Sequence, residues 1–228
     1  MAPTLEWLKE QFAYGYDSGD ILAPEPDERR RGEEDLIGGS YGSVFDELVR
    51  PHLAPGARVL ELGPGRGSWT RAILATLAGG EVHTVDFQDV RPWLQPERYP
   101  GRLICHRVRD NSFAGLPRDY FDFFWSFGVL CHCNQALIAE ILRNALPCLH
   151  PGGRAAHQYA DWDKLAAWGW GGKSGVPAEF QDLPDDAIWW PRNDQATMAR
   201  LAQEAGWRVD TADAGLLARD GIILLARP

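Results

Sequence analysis

Val59-Leu60-Glu61-Leu62-Gly63-Pro64-Gly65-Arg66-Gly67-Ser68 is the stretch whose reading decides the fold. Val59–Leu62 is a nearly continuous apolar run, as expected of a strand buried on both faces of a parallel sheet. The glycine turn after it lets the backbone pass close to a ligand, where a Cβ would collide. Ser68 offers a side-chain oxygen to the open amides of a helix starting near Trp69. Trp69, Ile73 and Leu77 carry that helix's apolar face at helical spacing until Gly79-Gly80 end it. Strand, glycine turn and helix in this order predict the nucleotide-binding corner of a doubly wound α/β sheet.

Spacing narrows the choice of nucleotide. A dinucleotide fingerprint, G-x-G-x-x-G, requires glycine at position 68, and this chain has Ser68. Its own pattern is acidic-x-G-x-G-x-G, from Glu61 to Gly67. After the helix, Glu81-Val82-His83-Thr84-Val85-Asp86 reads as a second strand ending in a carboxylate, followed by Phe87. An acid there, about 20 residues past the glycines, is placed to hold a ribose diol. A carboxylate accepts from both hydroxyls at once. Arg102–Arg107 reads as a third strand with Val108-Arg109-Asp110-Asn111 as its exit, and Phe121–Phe127 as a fourth after Pro117-Arg118-Asp119.

Glu61-x-Gly63-x-Gly65-x-Gly67, with Asp86 at the next strand tip, resembles the first motifs of the class I S-adenosylmethionine-dependent methyltransferases. The resemblance covers about residues 40–228, with the specific motifs in the cofactor half. It implies a Rossmann-like, doubly wound, seven-stranded and mostly parallel sheet with a C-terminal antiparallel hairpin. It also implies S-adenosyl-L-methionine as cofactor. Within it, Glu61 falls near the cofactor's amino-acid end, Asp86 at the ribose, and Asp110 with Asn111 at the adenine amino group. Phe87 is a candidate for the adenine face, Phe127 for the cofactor wall, and Tyr41 for closing the other side. Ser126-Phe127-Gly128-Val129-Leu130-Cys131-His132 is similar to the family's Gly-Val-Leu-x-His segment, with Cys131 where a first histidine is often found. His132 then faces the transferable methyl, and imidazole has the pKa to take a proton from an acceptor hydroxyl.

Composition sets limits on function. The 228 residues are 45% hydrophobic, enough for one sizeable core. The formal charge of −9 argues against nucleic acid or an anionic membrane as the main partner. Arg29-Arg30-Arg31, flanked by acids from Glu25 to Asp35, reads as a charge-balanced loop. No apolar run has the length of a membrane span, and Met1–Glu10 lacks a signal peptide's apolar core, so a cytoplasmic protein is expected. Cysteines occur at 105, 131, 133 and 148. Cys131-His132-Cys133 does not have a usual zinc-ligand spacing and no second cluster completes it, so no metal is expected.

Residues 1–53 are expected to form N-terminal helices and a lid loop, and residues 54–228 the methyltransferase domain. Within the first part, Thr4–Tyr14 reads as a helix, Gly15–Gly39 as a long loop, and Ser40–Leu53 as a helix with Val44, Phe45, Leu48 and Val49 on one face. Later, Asn134 caps a helix carrying Leu137, Ile138, Ile141 and Leu142. Pro151-Gly152-Gly153 turns into a fifth strand, Arg154–Tyr159. Asn193 or Asp194 caps the last helix, and Trp207–Ala212 and Gly221–Ala226 close the sheet.

Residues 160–192 interrupt this alternation with a Trp-rich segment, read as an acceptor-side cap or as a satellite core. His157, Tyr159 and Asp161 alternate along the fifth strand and its exit. With Trp162, Trp189, Trp190 and Arg192 they make the candidate acceptor pocket, whose indoles suit a sugar, an aromatic ring or a cation. The expected reaction is methylation of a small molecule, on oxygen by preference and on nitrogen as the alternative, by a monomer or homodimer. A nicotinamide oxidoreductase would share the corner but lacks its glycine here. A non-catalytic adenosyl-binding protein would keep the glycines and Asp86.

Overall fold

A computed structural model of the chain describes residues 5–13 and 15–228. Seven strands form one sheet: β1 (Arg58–Leu62), β2 (Glu81–Asp86), β3 (Leu103–Arg107), β4 (Phe121–Ser126), β5 (Leu149–Ala160), β6 (Arg208–Thr211) and β7 (Asp220–Ala226). Their order is β3-β2-β1-β4-β5-β7-β6. Pairings from β3 to β5 are parallel, and β7 runs antiparallel to both its neighbours. This is the mostly parallel, doubly wound sheet with a C-terminal hairpin that the sequence predicts. Strand order reverses between β1 and β4, and such a switch point opens a crevice at the carboxyl ends of the strands.

The strands bury both faces. Val59, Phe123 and Trp125 pack with Trp69 and Ile73 of α4 (Ser68–Thr76) and Leu94 of α5 (Arg91–Leu94) on one side. Leu60, Leu62 and Phe124 pack with Ile138 and Leu142 of α6 (Gln135–Ala145) on the other. Asn134 caps α6 through Leu137 N, and Asp194 caps α8 (Gln195–Glu204) through Thr197 N.

Four local expectations need correction. Ser68 does not cap α4: Gly67, at φ 86°, is the N-cap. The Ser68 hydroxyl instead accepts from Ser18 N and donates to Asp17, tying the N-terminal segment to the glycine turn. The Ser40–Leu53 helix is three short pieces, α3 (Tyr41–Val44), a π turn (Phe45–Val49) and a 3₁₀ turn (Arg50–His52). Pro151-Gly152-Gly153 is no turn between elements; β5 runs through it, with Gly152 N donating to Arg227 O. Finally, the arginine run is not a loop. Glu28–Ile37 forms α2, capped by Asp27 and closed by Gly38 in the left-handed conformation.

Arg30 explains why α2 forms without an apolar stripe. It is 3% exposed. Its guanidinium donates to the carbonyls of Asp20 and Ala23 and to Glu34 Oε1, 2.9 Å away. The same Glu34 oxygen accepts from Tyr41 N at 2.6 Å, which joins α2 to α3. The chain before α2 therefore wraps around one buried cation. Ahead of it lies α1 (Leu5–Gln11). The ends of the expected N-terminal helix, Thr4 and Tyr14, fall outside the described residues.

Removing one partner of a buried ion pair leaves the other unpaired, which costs about 3–5 kcal/mol. Arg30→Ala is expected to lower the unfolding free energy by about 3 kcal/mol and to make residues 16–27 sensitive to protease. Urea titration and limited proteolysis check this; an unchanged midpoint and cleavage pattern would contradict it.

Candidate active site

Two cavities open at the switch point and share a wall. The first lies over the tips of β1 and β2. Gly63 and Gly65 of the glycine turn, Asp86 and Phe87 of the β2 tip, and Asp110 and Asn111 beyond β3 all line it. Val85, Val108, Val129 and Ile141 make the remaining wall apolar. Lys9 covers one edge, its Nζ donating to Arg109 O and lying 5.0 Å over the Phe87 ring.

The glycine turn is closed on both sides. A Cβ on Gly63 would stand 2.5 Å from Val129 Cγ2, and one on Gly65 would stand 2.4 Å from Tyr16 O. Arg66 N donates to that same Tyr16 carbonyl at 2.7 Å. Glycine is thus required for the N-terminal segment to lie across the strand tips.

Asp86 is the electrostatic centre of this cavity. One carboxylate oxygen accepts from Gln88 N at 2.8 Å, and no cation among the described residues pairs with it. Burial pushes its carboxyl up to about 6. A half-buried acid with no cation paired to it fits a neutral partner with two hydroxyls, such as a ribose. Asp110 is exposed, and its interaction with Ser112 holds its carboxyl below the usual range. Asn111 is buried, with its side chain 3.4 Å from Glu140.

Glu61 is not on the cavity wall. It shares the parity of Val59 and points toward α4, where it accepts from the Thr70 hydroxyl at 2.6 Å. Burial raises its carboxyl to about 7. Glu61 thus lies beneath the glycine turn.

The second cavity, of about 490 Å³, lies over β4 and β5. Tyr41 and Phe127, expected beside the cofactor, line this one instead. Their rings pack edge-on at 5.1 Å, and Trp69 lies 4.9 Å from Phe127. Trp189 and Trp190 form the opposite side. The rest of the expected acceptor group turns away from both cavities. His157 is fully buried, its Nδ1 2.8 Å from Ser126 Oγ, and burial drives its pKa down to about 3. Tyr159 is core, donating to Ala212 O. Asp161 caps α7 (Trp162–Trp168) and accepts from Gln195. Trp162 and Arg192 stack on each other at 4.4 Å in a satellite core around Leu165, Phe180 and Ile188.

Strand parity is the reason. Because His157 and Tyr159 face α6, the intervening Gln158 faces the cavity. Its amide oxygen accepts from Gly128 N, and its amide nitrogen donates to Asp220. Alternation alone cannot say which half of a strand faces the site. Arg219, also on this wall, sits in a connection that carries no periodic signal.

Cys131-His132-Cys133 separates the two cavities. Cys131 faces the second, Cys133 the first, and His132 lines both. Burial pushes the Cys133 thiol up to about 12, so it stays protonated. His132 Nδ1 lies 2.9 Å from the Trp189 carbonyl. A carbonyl only accepts, so Nδ1 carries the hydrogen and Nε2 keeps a lone pair. Packing against Phe12, Trp189 and Trp190 pulls the imidazole down to about 4, so it is neutral near pH 7.

Fold and cavities together define an α/β nucleotide-site protein whose crevice over the β1 and β2 tips adjoins a second chamber. A family model described as a methyltransferase domain matches residues 38–212. The chain belongs to this family, as an S-adenosylmethionine-dependent methyltransferase of class I. One similar solved structure is a SAM-dependent methyltransferase from Aquifex aeolicus, with TM-score 0.62 and 15% identity over 93% of this chain and 100% of that one. Another is a geranyl diphosphate methyltransferase in complex with GPP and sinefungin, with TM-score 0.58 and 12% identity over 82% and 79%. The ribosomal RNA small subunit methyltransferase A of Nitrosomonas europaea is 31% identical over 85 residues, 37% of this chain but only 32% of that relative. Among the described residues no helix is long and apolar enough to cross a membrane.

Hydrogen bonds to a charged group contribute about 1.5–3 kcal/mol. Asp86→Asn is therefore expected to weaken S-adenosylhomocysteine binding by about tenfold to a hundredfold. Only ionised Asp86 accepts from two hydroxyls, so affinity should also fall about tenfold as pH drops from about 7.5 to about 5. Calorimetry tests both; an Asn variant with the parent's affinity and pH profile would remove the assignment.

Proposed function

We propose that this enzyme methylates a hydroxyl oxygen of a small molecule, a sugar or an aromatic compound, held in the second cavity. One observation carries the reading: His132 stands on the wall common to both cavities, with Nδ1 committed to Trp189 and Nε2 left with its lone pair. S-Adenosylmethionine supplies an already activated methyl on a sulfonium. Asp86 would hold the ribose, with Phe87, Asp110 and Asn111 around the base and the glycine turn beside the tail.

The acceptor oxygen would form its bond to the methyl carbon as the carbon–sulfur bond breaks, with S-adenosylhomocysteine as the leaving group, and its proton would pass to His132 Nε2. A base as weak as this imidazole still serves. As the oxygen acquires carbon its proton becomes far more acidic than an imidazolium, so transfer is downhill late in the step. Burial favours this use by keeping the ring unprotonated at working pH. The aromatic walls exclude water and align the acceptor, which is most of what such a transfer asks of the protein. Residues 1–53 act as a lid and residues 160–192 as the acceptor-side cap in this reading.

General-base assistance is worth about a hundredfold or more. His132→Ala is expected to lower kcat about a hundredfold while S-adenosylhomocysteine affinity changes little. At saturating cofactor the parent's kcat should be level from about pH 6 to 8 and fall only toward about pH 4, where the ring protonates. Methyl transfer from labelled cofactor, with the product identified as a methyl ether, checks the reading. An N-methylated product, or full turnover in the variant, would contradict it.

A further inference from the structure

The second cavity's lining has two charged side chains, Arg219 and Glu33. Arg219 donates through Nε and Nη2 to the two carboxylate oxygens of Asp220 and through Nη1 to Ser174 O. Asp220 is fully buried and also accepts from Gln158. Arg219 and Asp220 are thus a matched pair, and the cation offers no net charge to a ligand. His132 is neutral. Glu33, brought to the wall by α2, is different. No ion pair or hydrogen bond engages its carboxylate among the described residues. Its charge is the largest charge effect on the Tyr41 hydroxyl across the cavity, adding to burial in raising that phenol.

The wall around Glu33 is aromatic on two sides, with Tyr41, Trp69 and Phe127 on one and Trp189 and Trp190 on the other. Aromatic faces attract cations, more strongly when water is excluded. A cavity with one uncompensated negative charge and aromatic walls favours a cation and disfavours an anion, for which it has no free positive partner. At about 490 Å³ it has the size of a small-molecule site.

We infer that the acceptor is cationic: a compound with a protonated amine at the end away from the reacting hydroxyl, with Glu33 receiving the ammonium. This rests on the second cavity being the acceptor site. It adds a specificity residue, Glu33, that takes no part in the transfer itself.

Three probes of similar shape and different charge test it: tyramine, 4-ethylphenol and 4-hydroxyphenylacetate. Each is titrated calorimetrically into protein saturated with S-adenosylhomocysteine. Tyramine is expected to bind at least about tenfold more tightly than 4-ethylphenol, with 4-hydroxyphenylacetate weakest. Glu33→Gln should weaken tyramine about tenfold and 4-ethylphenol less than about twofold, with S-adenosylhomocysteine affinity as the control for folding. Equal binding of tyramine and 4-ethylphenol to the parent protein, or a Gln variant that keeps the preference, would overturn the inference while leaving the acceptor cavity in place. If none of the three binds, both the inference and the assignment of this cavity to the acceptor fail.

Discussion

The close approach of the Tyr16 backbone to the glycine turn organises everything above the sheet. Arg66 N bonds Tyr16 O, and a Cβ at Gly65 would stand 2.4 Å from that oxygen. Only a chain without side chains at these positions allows the N-terminal segment to lie across the strand tips. Ser68 adds a second tie through Ser18 and Asp17. From there α2 is held by Arg30 and Glu34, and α3 by Glu34. Glu33, Tyr41 and the roof of both cavities consequently descend from one contact at the turn.

The two chambers differ in kind although they share a wall. The first is apolar around one half-buried carboxylate, with hydroxyl-accepting capacity at Asp86. The second is aromatic, with its internal ion pair neutralised by geometry. Between them runs the short segment after β4, in which alternate residues face alternate chambers. Such a partition lets one side chain, His132, reach whatever lies on either side. It also explains why burial acts on this histidine so strongly, since aromatic rings and a backbone carbonyl take the place of water.

Much of the fold was legible because its signals are local. The apolar run into the glycines, the Asp86 strand tip and the Asn134 and Asp194 caps all act over a few residues, and each lands where the spacing puts it. α2 was not legible, because Arg30, Glu34 and two caps stabilise it rather than an apolar stripe. In the site, the glycines, Asp86 and His132 follow from strand ends. His157 and Tyr159 were placed on the wrong face because alternation fixes a period and not a phase. Gln158 emerges only when β7 pairs with β5 and brings Asp220, with its sequence neighbour Arg219, against it. No spacing in the chain encodes that contact.

The central claim is that an adenosyl group occupies the first chamber with its ribose on Asp86, leaving the second chamber free beyond His132. A crystal structure of the S-adenosylhomocysteine complex tests it most directly. The account predicts both ribose hydroxyls within hydrogen-bond distance of the Asp86 carboxylate and the sulfur directed toward His132. Density for the nucleoside among Tyr41, Trp189 and Trp190, or no density at the β2 tip, would contradict it.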